Sequence, residues 1–389
     1  MLRIPEITLF SIVCTMCLIV VLLRDNPTSD IAPDDDVTYV EMSNMSRKHP
    51  VTLQKQSKTF QQLSQPCERN ESAASISGFS KLPEHIRDFL FYRHCRHFPM
   101  LLDVPDKCGG PQGSADVFFL LVIKSTPTNF DRREVLRKTW AKERRHNGVW
   151  VRRVFISGTV GTHHEKRRMN RLLKLENEEH RDILQWDFRD TFFNLTLKQI
   201  LFLEWMEKRC PNVRFLMNGD DDVFANTDNM VEYLQSLPGN DGSKHLYVGH
   251  LIHSLGPIRY QGSKYYVPKE IHEVNYYPPY CGGGGFLISG FTARIMYNMS
   301  HSITIMPIDD VYLGMCVEKA GLKPESHSGV RTFGMSIPSR KVDALSPCFY
   351  REILLVHRFL PYQIFVMWND IHKPNLRCGT SVLNYDSKP

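Results

Sequence analysis

The sequence lacks most of the signatures that would assign it at once. Beyond its N-terminal apolar run it has no Cys-x-x-Cys pair with zinc spacing, which excludes a zinc ribbon or knuckle. Its one glycine run is not followed by Gly-Lys-Ser/Thr, so it is not a phosphate loop. There is no internal repeat, which excludes a solenoid or propeller. No groove-reading motif accompanies the basic pairs Arg132-Arg133, Arg144-Arg145 and Arg152-Arg153 or the run Lys166-Arg167-Arg168. These cations are interleaved with Glu134, Glu143 and Glu165, as on solvated helix ends. Nucleic acid is therefore not an expected partner, despite a net charge of +6.

What is present is ordinary globular composition over 389 residues, 42% apolar and 23% charged, enough for a sizeable core. The segment from Ile7 to Leu23 carries no charge and lies between Arg3 and Arg24. It sits at the short edge of membrane-spanning length. Bulky Val20 to Leu23 close it without a small-x-small cleavage site, so it reads as an uncleaved signal anchor. Residues 1–6 then form a cytoplasmic tail, and everything after 23 lies in a lumen. Sequons at Asn44, Asn70, Asn194 and Asn298 all fall on the luminal side, whereas Asn26 is followed by Pro27. Eight cysteines follow the span: Cys67, Cys95, Cys108, Cys210, Cys281, Cys316, Cys348 and Cys378. An even luminal count suits disulfides. Eight cysteines permit about 105 connectivities, which the count leaves open; the pairing taken as a guess is Cys67–Cys95, Cys108–Cys210, Cys281–Cys316 and Cys348–Cys378.

Residues 24–81 are polar, with no sustained period, and read as a flexible stem. Residues 82–389 read as one folded luminal domain. Val117 to Ile123 is an unbroken apolar run, as expected of a strand buried on both faces. Further strands are expected at Val151 to Ser157, Asp182 to Trp186 and Val213 to Met217. Helices are expected from Asp131, over Glu165 to Asn177, from a cap at Asn194, and from a cap at Thr227. This alternation predicts an open α/β sheet of largely parallel strands, whose chemistry sits beyond the strands' carboxyl ends.

Four constellations fall where chemistry is expected. Asn218-Gly219-Asp220-Asp221-Asp222 follows a strand, and hard cations take oxygen ligands together with substrate phosphates. Asp34-Asp35-Asp36 has the same composition but no strand before it, and reads as solvated. Asp309-Asp310 opens a helix. The helix dipole alone favours acids there, but a carboxylate in that place can also serve as a general base. Gly282 to Gly285 remove every Cβ, permitting either close backbone approach or a tight turn. His357 ends a short apolar run; a lone histidine is more often structural than a ligand.

Taken in order, these pieces resemble the inverting β-1,3-glycosyltransferases of the Golgi, and more closely the β-1,3-N-acetylglucosaminyltransferases. The resemblance rests on Phe118 through Ser125, Arg133-x-x-x-Arg137-x-x-Trp140, Asp182-Ile183 through Asp190-Thr191 and Asn194-Leu195-Thr196-Leu197-Lys198. It continues through Asp220 to Asp222, Tyr277-Pro278-Pro279-Tyr280-Cys281, Asp309-Asp310-Val311-Tyr312 and His357. It implies a nucleotide-sugar-binding α/β fold of the GT-A type behind an anchor and stem in the Golgi membrane. It also implies that Asp222 and His357 hold a divalent cation, Mn2+ or Mg2+. Asp220 and Asp221 would lie beside the ribose and donor sugar. Lys124, Arg133 and Arg137 would hold the uridine diphosphate, and Asp310 would be the catalytic base. Asp309-Asp310 in place of Glu-Asp favours UDP-GlcNAc over UDP-galactose as donor. The acceptor would be a galactose-terminated glycan on a glycoprotein or glycolipid. The stretch Arg93 to Pro99 with Val104 to Cys108 resembles the member that extends core 1 O-glycans. A metal-dependent phosphohydrolase and an inactive luminal carbohydrate-binding protein are the competing readings.

Overall fold

A computed structural model describes residues 67–332 and 345–379. The 1–6 tail, the 7–23 span, Asn44 and most of the 24–81 stretch lie outside the described residues. Twelve strands are assigned among these: β1 (Met100–Leu102), β2 (Val117–Lys124), β3 (Arg144–His146), β4 (Val149–Thr159), β5 (Ile183–Arg189), β6 (Phe215–Asp220), β7 (Val223–Ala225), β8 (Tyr247–Ile252), β9 (Tyr280–Ser289), β10 (Glu325–Ser326), β11 (Val330–Arg331) and β12 (Leu355–His357). The nine-stranded sheet runs β1-β5-β4-β2-β6-β9-β8-β10, with β3 on β4. A small second sheet runs β11-β12-β7.

The sheet is mixed rather than largely parallel. β5, β4, β2 and β6 are parallel, as the alternating pattern predicts. β9 then runs antiparallel to both β6 and β8. The reversal has a positional consequence: the first half of β9 lies beside the last residues of β6, with Gly285 opposite Gly219.

The helices are α1 (Glu84–Tyr92), α2 (Phe130–Lys138), α3 (His163–His180), α4 (Leu195–Arg209), α5 (Thr227–Ser236), α6 (Gly290–Ser300), α7 (Asp309–Lys319), α8 (Pro347–Glu352) and α9 (Pro361–Ile371), apart from one turn at Gly110–Gly113. They cover both faces of the sheet. Strand side chains alternate, so Leu120 and Val122 of β2 pack with Leu197, Ile200 and Met296 in one cluster. Phe119, Leu121 and Ile123 pack with Leu136, Val231 and Ile364 in the other. That double burial is why β2 reads as an unbroken apolar run. At α5 the cap is Asn226, one residue before the expected Thr227; its side chain accepts from the Asn229 N–H. Asn194 does precede α4, but without a side-chain capping bond.

Residues 67–81, read as stem, belong to the folded body. They form short 3-10 turns, and Ala73 and Phe79 pack with Leu82, Ile86, Leu90 and Phe91. Such turns have no period for a sequence pattern to reveal. Three of the expected disulfides are closed: Cys67–Cys95, Cys108–Cys210 and Cys348–Cys378. The second spans 102 residues, a loop whose closure contributes about 4–5 kcal/mol in the chain-entropy account. The expected Cys281–Cys316 pair is not formed. Both thiols are free and buried, one at the start of β9 and the other inside α7, and burial pushes the Cys281 thiol well up.

Candidate active site

The carboxyl ends of β2 and β6 carry the centre of the site. Lys124 and Asp220 are register partners at the ends of their strands, and Lys124 Nζ lies 3.0 Å from Asp220 Oδ1. The same ammonium donates to Asp309 Oδ2 at 2.9 Å and to the Gly283 carbonyl at 3.1 Å. Burial alone would lower its pKa, but Asp220 and Asp309 outweigh that and raise it. Lys124 is thus a buried tie between two acids, with all three of its donors engaged by the protein itself.

Asp222 and His357 meet because the small sheet pairs β7 with β12, placing His357 opposite Val223. The Phe359 N–H donates to the Asp222 carbonyl at 2.7 Å. Between them Arg358 takes a left-handed φ of 73°, which turns the chain directly after the histidine. His357 Nδ1 donates to the Thr332 carbonyl at 3.1 Å, so Nε2 faces the carboxylates. It lies 3.1 Å from Asp222 Oδ1 and 3.5 Å from Asp220 Oδ2.

This cluster passes a chemical test for a cation. Asp220, Asp222 and His357 offer ligand atoms all within 4.8 Å of one another. With Nδ1 committed to a carbonyl, a neutral imidazole would present a lone pair to a carboxylate. Only a proton or a metal ion makes that contact favourable. Burial pulls the His357 pKa down, but Asp222 and Asp220 pull it up further. Asp222 is pushed up by burial and brought down, on balance, by His357 and Arg132. Asp220 is raised, by burial first and then by its neighbours Asp309 and Asp222. Asp220 therefore joins Asp222 and His357 as a candidate ligand, a role the triplet alone did not single out.

The arginines are redistributed. Arg133 and Arg137, expected at the diphosphate, are not brought to these carboxylates. They lie on one face of α2 at i and i+4, buried against Glu176 and Asp182. The remaining Arg133 donors go to Ser125 Oγ and the Thr126 and Pro127 carbonyls. Arg132 points elsewhere, about 100° around the helix. Its Nη1 lies 3.7 Å from Asp221 and 3.9 Å from Asp222. That nitrogen is buried and has no hydrogen-bond partner. Asp221 is held by Asn129 Nδ2 at 2.8 Å and is raised by burial.

Asp310 sits one residue beyond the acid that Lys124 holds. Its Oδ1 accepts from the Val311 N–H at 2.8 Å and its Oδ2 from the Gly283 N–H at 3.0 Å. Burial, and then the adjacent Asp309, push it up to about 7 against the pull of Lys124. A carboxyl poised there can exchange a proton near neutrality.

The glycine run is strand, not turn. A Cβ on Gly283 would come within 3.2 Å of Asp310 Oδ2, and one on Gly284 within 2.8 Å of the His357 ring. The missing side chains make room for the protein's own acid and histidine, closely packed on consecutive residues of β9.

The remaining predicted residues scatter. Asn70 and Asn298 are exposed. Asn194 donates to the Arg189 carbonyl, and its sequon partner Thr196 is buried, donating to the Met306 carbonyl.

Fold and site together define an α/β protein with a carboxylate–histidine cluster able to hold a cation near the carboxyl end of β6 and a separate carboxyl, raised to about 7, beside it. The chain belongs to the galactosyltransferase family, whose model matches residues 131–328. It is 56% identical to human N-acetyllactosaminide beta-1,3-N-acetylglucosaminyltransferase 3, over 82% of this chain and 84% of the relative. It is 49% identical to human acetylgalactosaminyl-O-glycosyl-glycoprotein beta-1,3-N-acetylglucosaminyltransferase, over 80% of each. It is 45% identical to mouse UDP-GlcNAc:betaGal beta-1,3-N-acetylglucosaminyltransferase 7, over 80% of this chain and 77% of the relative. The family expected from the motifs is therefore the family to which the chain belongs.

Proposed function

We propose that the chain is a β-1,3-N-acetylglucosaminyltransferase that moves N-acetylglucosamine from UDP-GlcNAc to the 3-hydroxyl of a galactose-terminated glycan, inverting the anomeric centre. One observation carries this reading. Asp222, His357, Asp220, Lys124, Asp309 and Asp310 form an unbroken series of near neighbours around the glycine segment of β9. A cation cluster and a base thus stand next to each other, as direct displacement of a diphosphate by an alcohol demands.

Asp310 takes the proton of the attacking hydroxyl as the oxygen bonds to the anomeric carbon opposite the leaving UDP. Its two backbone N–H donors fix the carboxylate's direction. Asp220, Asp222 and His357 would hold a divalent cation, Mn2+ or Mg2+, which when bound neutralises charge on the leaving diphosphate. Arg132, whose buried Nη1 makes no hydrogen bond and only long ionic contacts with Asp221 and Asp222, takes the place on the diphosphate first expected of Arg133 and Arg137. Lys124 positions Asp220 against Asp309 instead of reaching the donor. The single-pass type II Golgi topology, the GT-A assignment and a mucin-type core 1 acceptor are part of the same proposal. They are supported by the apolar run at 7–23, the family and the named relatives.

The deciding experiment is a donor-by-acceptor panel on the purified chain with Mn2+, reading the linkage of the product. The expected result is a β-1,3-linked N-acetylglucosamine on galactose, abolished by a chelator. UDP-GlcNAc consumed without acceptor product would point to a hydrolase, and better transfer from UDP-galactose to a galactosyltransferase.

A further inference from the structure

A second cavity, of about 440 Å3, opens between α1 and the end of β5, beside the Cys67–Cys95 disulfide. A neighbouring hollow of about 610 Å3 shares Asp88, Tyr92, Arg189 and Phe193 with it. Both are of a size that takes small ligands. Tyr92 and Phe98 line the first with aromatic rings, beside the buried Phe89 and beside Phe193, which is stacked on His85. Two guanidinium groups, Arg93 and Arg189, line the cavity of about 440 Å3, and neither has an ion pair or a side-chain hydrogen bond among the described residues. For Arg93, burial alone acts on the side chain, lowering its pKa, with no carboxylate to offset it. Arg87, in the second hollow, has a buried Nε without a partner. Of the acids on the first cavity's wall, Asp187 is already paired with Lys166, which leaves Asp88 on the open rim.

Arg93, half-buried and without a counter-ion, gains where an anion completes it, and the exposed Arg189 on the same wall adds a second positive charge. Aromatic faces, an arginine pair and one free carboxylate together match a saccharide bearing an oxyanion. The rings take the sugar's apolar face, the arginines its charge and Asp88 a hydroxyl. The cavity's wall is also joined to the site along the chain. Its wall includes Ile305, in the segment that runs directly into Asp309 and Asp310, and Thr196 fastens that segment through the Met306 carbonyl. Phe192, next to Phe193, packs edge-to-face on Tyr265 of the β8–β9 connection.

We propose that this cavity is a second saccharide subsite, which binds a negatively charged sugar of the acceptor glycan while its terminal galactose occupies the active site. The inference rests on the glycosyltransferase reading above for the identity of the glycan, but its binding test does not. Sulfate esters and carboxylated sugars share the required chemistry, and separate arms distinguish them.

The full-length chain is tested with three matched galactose-terminated acceptors: neutral, sulfated on an inner sugar, and carrying a carboxylate sugar as a branch. Wild type is expected to show a KM at least about tenfold lower for one or both charged acceptors, the size of one charge-assisted contact. Arg93→Gln should abolish that preference while kcat/KM for the neutral acceptor stays within about twofold, and Arg93→Lys should recover part of it. Direct binding of the charged acceptors without donor, by ligand-observed NMR, should follow the same order even if no transfer occurs. Equal KM for all three acceptors would overturn the assignment. So would a charged-acceptor preference that survives both Arg93→Gln and Arg189→Gln in proteins with unchanged melting.

Discussion

Two ion clusters share this sheet, and they are balanced differently. Behind α2, Arg133, Arg137 and Arg153 face Glu134, Glu176 and Asp182, three cations against three anions, mostly buried and mutually hydrogen-bonded. At the carboxyl ends of β2 and β6, Lys124 and Arg132 face Asp220, Asp221, Asp222, Asp309 and Asp310. The first cluster is electrically complete and needs nothing from outside. The second is short of positive charge and has one histidine whose protonation only partly makes up the difference. Residue type does not separate the two, since both combine arginine or lysine with aspartate. The surplus of anions does, because crowded carboxylates are relieved either by keeping a proton, as at Asp310, or by binding a cation.

The comparison can be broken in several places. The largest effect is expected at Asp310, where Asn should lower kcat by about 10²–10⁴-fold while leaving donor affinity within a few-fold. Turnover near wild type would remove Asp310 as the base. Next, Arg137→Ala should cost about 3–5 kcal/mol of unfolding free energy, since it leaves buried carboxylates short of a partner, with no change in donor KM. Arg132→Gln should reverse that pattern, raising donor KM about tenfold with little effect on unfolding. If Arg137 governs donor KM instead, the division between structural and functional clusters fails.

A smaller effect concerns metal. At about a hundred times its dissociation constant, Mn2+ should stabilise the wild type by about 2.7 kcal/mol in thermal unfolding, and Asp222→Asn should lose that increment. An equal Mn2+ shift in both proteins would place the cation elsewhere. The mildest prediction is pH dependence. With Asp310 at about 7, kcat/KM should climb as pH rises through about 7 and level off above it. Stability should move the other way. The fold binds this proton more tightly than the unfolded chain does, where the carboxyl titrates near 3.8. The contribution to stability is thus whole below the unfolded value and is lost as pH climbs through about 7. Activity flat from about pH 5 to 8 would argue against the first, and an unfolding free energy that does not fall from about pH 4 to 7 against the second.

Much of this was legible in the residues. β2, β6 and the carboxylates after Met217 could be read because burial on both faces leaves an unbroken apolar run and the acids end it abruptly. The facing of α2 could not. Arg132 and Arg133 are neighbours in sequence, and only the position of Glu176 and Asp182 decides which one turns inward. His357 had no local signal, because its meaning comes from an antiparallel pairing with Val223 far upstream. The glycines suggest close backbone approach or a tight turn, but what the strand approaches, Asp310 and His357, comes from later in the chain. Cys281 and Cys316 fitted an even count, and the approach of two Cα atoms is not written in a count.

The late position of His357 has a further consequence. The cluster's two carboxylates are made early, yet the strand that supplies the imidazole is among the last described elements to leave the ribosome. A chain interrupted before Leu355 would retain the sequence of every strand of the large sheet and still lack this ligand. Completion of the Asp220–Asp222–His357 cluster therefore requires that β12 has been made and has docked on β7.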